Sequence, residues 1–166
     1  SKAPFDNRDV RWALTLATDI KSVSMATYGG MLRVSPIIIP PTEKLQNTYH
    51  KPMLDWLSNF ELSDGYKPFD DNYARDMIVK LKQQGIEGLP SDAETMTDTF
   101  GVGWWKYDPD KAGELLNKNG FKKQGNKWLK PDGSPWKVTI SAPADFEVQS
   151  MRLAFAVADS WRKFGI

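Results

Sequence analysis

The chain has 166 residues, 40% hydrophobic and 26% charged, which is enough apolar material for a compact domain with a real core. Its 22 basic and 21 acidic residues leave a net charge of +1, so the overall balance argues for neither nucleic acid nor an anionic membrane as partner. Cysteine is absent, which excludes disulfides and thiolate metal sites, and no stretch approaches the unbroken apolar length of a membrane span.

Ser1 to Pro4 reads as a short extended lead. Asp6 is a candidate helix cap, with Asp9 three residues on in capping-box register. Val10, Ala13, Leu14, Ala17 and Ile20 then fall at helical spacing and face a core. Lys21 to Tyr28 predicts a second short helix, stopped by Gly29-Gly30; a phosphate loop would need more glycines and a preceding strand. Met31 to Pro41 is apolar, but Pro36, Pro40 and Pro41 rule out a central strand. Ile37-Ile38-Ile39 is expected to be a buried extended segment. Thr42 to Phe69 has no sustained period beyond Met53, Leu54, Leu57 and Phe60, which suggest a helical turn or two. Asp70 or Asp71 caps a further helix carrying Ala74, Met77, Ile78 and Leu81 on one face, closed by Gly85. Ile86 to Gly103 reads as a polar loop. Its Glu87, Asp92, Glu94 and Asp98 lack the spacing of a calcium loop.

The stretch from Tyr107 to Ala142 carries the clearest local signals. Asp108 is a good N-cap, Pro109 suits the first helical position, and Asp110 sits at the positive end of the helix dipole. Ala112, Leu115 and Leu116 form the apolar stripe, Gly120 is a left-handed C-cap, and Phe121 can fold back onto the last turn. Trp128 and Leu129 enter a strand. Pro131-Asp132-Gly133-Ser134-Pro135 makes a turn, and Trp136, Val138 and Ile140 alternate with polar residues as a half-buried strand should. A hairpin over 127–142 is therefore expected. Asp145 caps the last helix, where Val148, Met151, Ala154, Phe155, Ala158 and Trp161 face one way. Leu153 and Val157 lie on another face, so this helix is expected to be covered on more than one side.

Chemistry is harder to find. His50 is the only histidine, and no serine sits among nucleophile-elbow glycines, so no Ser-His-Asp relay can be assembled. Acidic residues are plentiful, but nothing selects a glycosidase pair. No nucleotide loop and no metal cluster is written in the sequence, and no cofactor is expected. The candidate ligand contacts are Trp104, Trp105, Tyr28 and His50. Trp104 and Trp105 stand at the end of a loop beside Tyr107, where their faces could stack on a sugar ring or a peptide side chain. The competing reading has one or both packed beneath the hairpin as core. His50, between Tyr49 and Lys51, is a loop residue or a ligand contact rather than a base.

Three stretches also carry a family resemblance. Tyr107-Asp108-Pro109, Lys111-Ala112 and Leu115-Leu116, ending in Gly120-Phe121 and followed by Trp128, Pro131-Asp132-Gly133 and an apolar strand, resemble the signature of family 5 extracellular solute-binding proteins. These are the oligopeptide, dipeptide and nickel type of receptor for ABC importers. Pro4-Phe5-Asp6, Val10-Arg11, Ala13-Leu14 and Ala17-Thr18-Asp19 are similar to that family's opening helix. The closing run Trp161 to Ile166 looks like its "L-x-x-x-G-I" entry into a strand. The three matches stand in the right order and span the chain.

The resemblance implies an α+β fold, with helices packed on a small mixed sheet as part of one lobe of a two-lobed, type II periplasmic-binding-protein architecture. Residues 1–166 are then expected to form a single partial domain of the C-terminal lobe, with the export signal upstream. Residues 36–41 resemble an extended family segment that runs toward the cleft, and Thr42 to Phe69 looks like a subfamily insertion that shapes ligand choice. The implied function is capture of a peptide or oligosaccharide outside the cytoplasmic membrane and its delivery to an ABC permease, with no catalysis. An accessory domain of a carbohydrate-active enzyme is the alternative, and a structural interaction module is a third reading. The implied location is periplasmic or extracellular, membrane-associated in Gram-positive hosts.

Overall fold

The structure, a computed structural model, describes residues 2–143 and 148–166. In chain order its elements begin with α1 (Arg8–Leu16), α2 (Ile20–Tyr28) and α3 (Glu43–Leu45). A π-helical turn, Gln46–His50, then leads into α4 (Lys51–Asn59) and β1 (Phe69–Asp70). Next come α5 (Tyr73–Gln83), α6 (Ala93–Phe100) and β2 (Trp104–Trp105). Last are α7 (Pro109–Lys118), β3 (Lys122–Gln124), β4 (Lys127–Leu129) and α8 (Val148–Phe164). The chain divides into two compact units, one of residues 1–27 with 107–166, the other of residues 28–106.

The first unit is built on α1 and α7. Helix α1 is capped by Asn7, whose side chain accepts the Asp9 N–H at 2.8 Å; Asp6 lies one residue outside that position. Its apolar stripe buries Val10, Ala13, Leu14 and Leu16. Helix α7 starts as its sequence dictates: the Asp108 carboxylate accepts the Lys111 N–H at 2.9 Å, with Pro109 at the first position. Ala112, Leu115 and Leu116 are buried. Gly120 adopts φ 80°, and the Phe121 N–H closes back on the Leu116 carbonyl. Polar bonds tie the two helices together. Asn7 Nδ2 donates to Asn119 Oδ1 at 2.6 Å, Asn119 Nδ2 reaches Asp9, and the Asp108 N–H donates to the Leu16 carbonyl.

The hairpin differs from its expectation. β3 pairs antiparallel with β4, with Lys122 opposite Leu129 and Gln124 opposite Lys127. Gly125-Asn126 makes the turn, Gly125 supplying φ 57°. The expected turn at 131–134 does form, with Lys130 N–H donating to the Ser134 carbonyl. Beyond it the pairing stops after a bridge between Leu129 and Pro135 and one bond from the Trp136 N–H to the Trp128 carbonyl. Residues 136–142 form no ladder among the described residues. Pro135 has no N–H to donate, and the Trp128 N–H on that side of β4 is taken by the Gly165 carbonyl.

Helix α8 is anchored at its C-terminal end. Trp161 Nε1 donates to Thr18 Oγ1 at 2.9 Å and to the Leu14 carbonyl at 3.0 Å, and Phe164 is buried against Trp128 with ring centroids 5.5 Å apart. The Gly165 carbonyl accepts the Trp128 N–H. The remainder of α8 is only partly covered: Leu153 and Val157 are half-buried, and Phe155 is 63% exposed. A trough of about 470 Å³ runs between it and the Val138–Ala142 segment. The expected burial on more than one side is not found among the described residues. The expected cap Asp145 lies outside them.

In the second unit, α5 supplies the core with Tyr73, Met77, Ile78 and Leu81. Its cap position is Asn72, and Asp70 instead accepts the Asn72 N–H as an Asx turn. Leu57 and Phe100 complete the core, and the Tyr73 hydroxyl donates to the Leu32 carbonyl. Two segments are more helical than the expected turn or two around Met53 to Phe60 and the expected loop over 86–103. Residues 43–59 form α3, the π-turn and α4, and residues 93–100 form α6 within the expected loop. Asp92 caps α6 through the Thr95 N–H at 2.9 Å and the Thr95 hydroxyl at 2.6 Å. β1 and β2 pair antiparallel, Phe69 opposite Trp105 and Asp70 opposite Trp104. The α+β class holds, with its sheet content in two separate two-stranded ladders.

Candidate functional site

The aromatic residues of the second unit form a row. The Trp105 ring meets Phe69 edge-on at 6.2 Å and lies 6.1 Å from Phe60, whose ring is 5.0 Å from Trp56. Local structure explains the order. Trp56 and Phe60 are four residues apart, one turn along α4. Phe69 and Trp105 face each other across the β1–β2 ladder. Trp104 and Trp105 are thus strand residues rather than loop residues, and both are half-buried. Trp56 is 51% exposed and ends the row at the surface. At the other side of β2, Lys106 Nζ donates to the Lys67 carbonyl and lies 5.5 Å above the Tyr66 ring.

The other two candidates stand apart from this row. Tyr28 ends α2 with an exposed ring, and no ring contact links it to the tryptophans among the described residues. His50 is only 2% exposed. Its Nε2 lies 2.9 Å from the Ile39 carbonyl, an acceptor, so that nitrogen carries the proton. Its Nδ1 is buried without a partner in the described structure. His50 therefore fastens the proline-punctuated segment to the π-helical turn. That segment is not buried as expected: Ile38 is 97% exposed, while Ile37 and Ile39 on either side are half-buried. Three prolines and the missing N–H groups leave it no ladder to join, so the His50 bond is one of its few fixed points.

Sequence reasoning does not place Trp56 and Phe60 beside Trp105. The available signal was their i,i+4 spacing, but it lay in a stretch without a sustained apolar period.

The carboxylates with shifted pKa are a helix cap, a turn residue and one half of an i,i+4 ion pair. Asp92, Asp132 and Asp159 are exposed and held below the usual carboxylate range by hydrogen bonds from Thr95, Ser134 and Lys163 respectively. The Arg33 guanidinium, whose Nε donates to the Asp98 carbonyl, is lowered by burial, with Asp98 acting in the opposite sense. Among the described residues no three His, Cys, Asp or Glu side chains converge on a metal position.

Half-exposed rings on a fixed ladder make a candidate surface on which a flat or apolar group could stack. Residues 1–166 match the family model described as bacterial extracellular solute-binding proteins, family 5 Middle, and the chain belongs to that family. Its members are solute-binding components of ABC transport, generally without enzymatic activity, and work on the extracellular side with permease subunits. No curated protein matches the chain. Among the described residues no helix is long and apolar enough to cross a membrane.

Proposed function

We propose that this chain is part of one lobe of an importer receptor that captures a peptide or oligosaccharide in the periplasm or outside the cell and delivers it to an ABC permease. The observation that carries the reading is the aromatic row Trp56–Phe60–Trp105–Phe69, with Trp104 beside it on β2. Exposed indole faces offer apolar area at a low entropy cost, suited to sugar rings and to peptide side chains. Trp104 and Trp105 are the proposed ligand contacts, joined by Trp56. Tyr28 adds an exposed phenol in the same unit. His50, being buried, serves the contact set by holding Ile39 in place.

The test is calorimetric titration of the chain, and of a two-lobed form containing it, with short peptides and with β-linked oligosaccharides. A single lobe supplies part of the contact area while much of the immobilisation cost remains. The two-lobed form is expected to bind one ligand class, and the isolated chain to bind it far more weakly. Trp105→Ala is expected to weaken binding in the two-lobed form by about tenfold or more. Undiminished binding in Trp104→Ala, Trp105→Ala and Trp56→Ala alike would remove the row from the site.

A further inference from the structure

The near-neutral net charge conceals a polarised distribution. Residues 118–137 hold six lysines, at 118, 122, 123, 127, 130 and 137, against one acid, Asp132. Subtracting these from the 22 basic and 21 acidic residues of the whole leaves 16 and 20 elsewhere, so the hairpin region is +5 and the remainder −4. Outside this region Lys67, Lys111 and Lys163 reach carboxylates, Glu61, Glu114 and Asp159. Within it Lys118 reaches Asp9 at 3.2 Å and Lys130 reaches Asp132 at 3.5 Å. Among the described residues Lys122, Lys123, Lys127 and Lys137 have no carboxylate within 4.0 Å. Lys123 lies 5.7 Å over both the Trp128 and Phe164 rings, and the other three are exposed.

The backbone beneath these charges is fixed. The β3–β4 ladder, the Trp128–Phe164 contact and the bond from the Trp128 N–H to the Gly165 carbonyl hold the hairpin to α8. Lys122 stands opposite Leu129, Lys123 opposite Trp128 and Lys127 opposite Gln124, so no carboxylate across the ladder accounts for these charges. An anionic surface would. One feature selects a lipid surface over an acidic protein face. Every cation is a lysine, and the chain has no arginine between Arg75 and Arg152. Lysine is a mobile point charge without the planar fork that reads carboxylates two oxygens at a time. It suits a field of phosphate headgroups, which demands no register. Trp128 and Trp136 are buried, so the patch offers no aromatic anchor and its attachment is electrostatic.

We propose that the β3–β4 hairpin is an electrostatic docking face for an anionic phospholipid surface. The attachment is peripheral, reversible and screened by salt, and it is independent of which solute the aromatic row holds.

Co-sedimentation with vesicles tests it. The chain is expected to bind vesicles of phosphatidylcholine with phosphatidylglycerol at low ionic strength, to leave them as salt rises, and to ignore vesicles of phosphatidylcholine alone. Lys122→Gln, Lys127→Gln and Lys137→Gln together should weaken binding on the order of a hundredfold. The equally charged control Lys44→Gln, Lys80→Gln and Lys82→Gln should bind as the natural chain does. Circular dichroism should show both triple variants folded. Equal binding to neutral vesicles, an equal loss in the control, or full binding by the hairpin variant would overturn the proposal. Retention on immobilised polyglutamate with no binding to the anionic vesicles would also overturn it, and would assign the face to an acidic polypeptide.

Discussion

Two sets of aromatic side chains do different work in this molecule. In the first unit Phe121, Trp128, Trp136 and Phe164 are buried in close ring pairs, Phe121 with Trp136 at 4.8 Å and Trp128 with Phe164 at 5.5 Å. In the second unit Trp56, Phe60, Trp104 and Trp105 sit half-covered or exposed, and the row of Trp56, Phe60, Trp105 and Phe69 has ring contacts of 5.0 to 6.2 Å. The first set closes a helix-and-hairpin frame. The second leaves indole faces open to solvent. Aromatic content alone therefore does not mark a binding surface; the burial of each ring decides its role.

The sharpest way to break the contrast is to remove one ring from each set. Trp128→Ala should cost about 3–5 kcal/mol of stability, since it empties a core position against Phe164 and Gly113. Trp56→Ala should cost about 1 kcal/mol or less while weakening ligand binding. Urea denaturation measures both, and comparable stability losses would erase the distinction. The next effect lies in the second unit's backbone. Gly101 has φ 84° and ψ −173°, a region kept for glycine, and a Cβ there would meet the Val34 carbonyl oxygen at 1.8 Å. Gly101→Ala should cost about 3 kcal/mol or more, and a midpoint shift below that of Trp56→Ala would show that the Val34–Phe100 connection gives way easily.

Smaller effects belong to the helix caps. Asp108→Ala should cost about 1 kcal/mol, because the first turn of α7 loses the acceptor for Lys111 N–H. An unchanged denaturation midpoint would show the cap to be dispensable. The smallest expected effect is the pH response of α6. Asp92 is lowered in the folded state by the Thr95 hydroxyl and N–H, so its contribution is present above the ordinary aspartate range. It is lost as pH falls through the lower folded value. Amide exchange of α6 should accelerate in that acid window, and Asp92→Ala should remove the acid dependence. Equal acid dependence in that variant would place the response elsewhere.

Much of the first unit was legible because its signals are local. The Asp108-Pro109 start, the Gly120-Phe121 end and the stripe on α7 each lie within a few residues of the bond they predict. The second unit carried weaker ones. Helix α4 has a proline near its start and follows a π-helical turn, so its apolar residues keep no single period. Helix α6 was hidden by polar residues, although Asp92 and Thr95 stood in capping register. At the candidate site, Trp104 and Trp105 were recognised by type. Trp56 and Phe60 were not, because their neighbour Trp105 is more than forty residues away in the chain.

The sequence by itself determined helices α1, α5 and α7, the Asp108 cap of α7, the turn at 131–134 and, through three ordered motifs, the family. Only the tertiary structure decided which strand pairs with β4, that His50 turns inward to Ile39 while Ile38 stays exposed, and which tryptophans remain open. The reason is physical. A cap or a helical stripe is closed by atoms one turn away, whereas a strand edge or an aromatic face is closed by whatever distant segment folds against it. Apolar spacing states that a face wants cover and leaves unstated what supplies it.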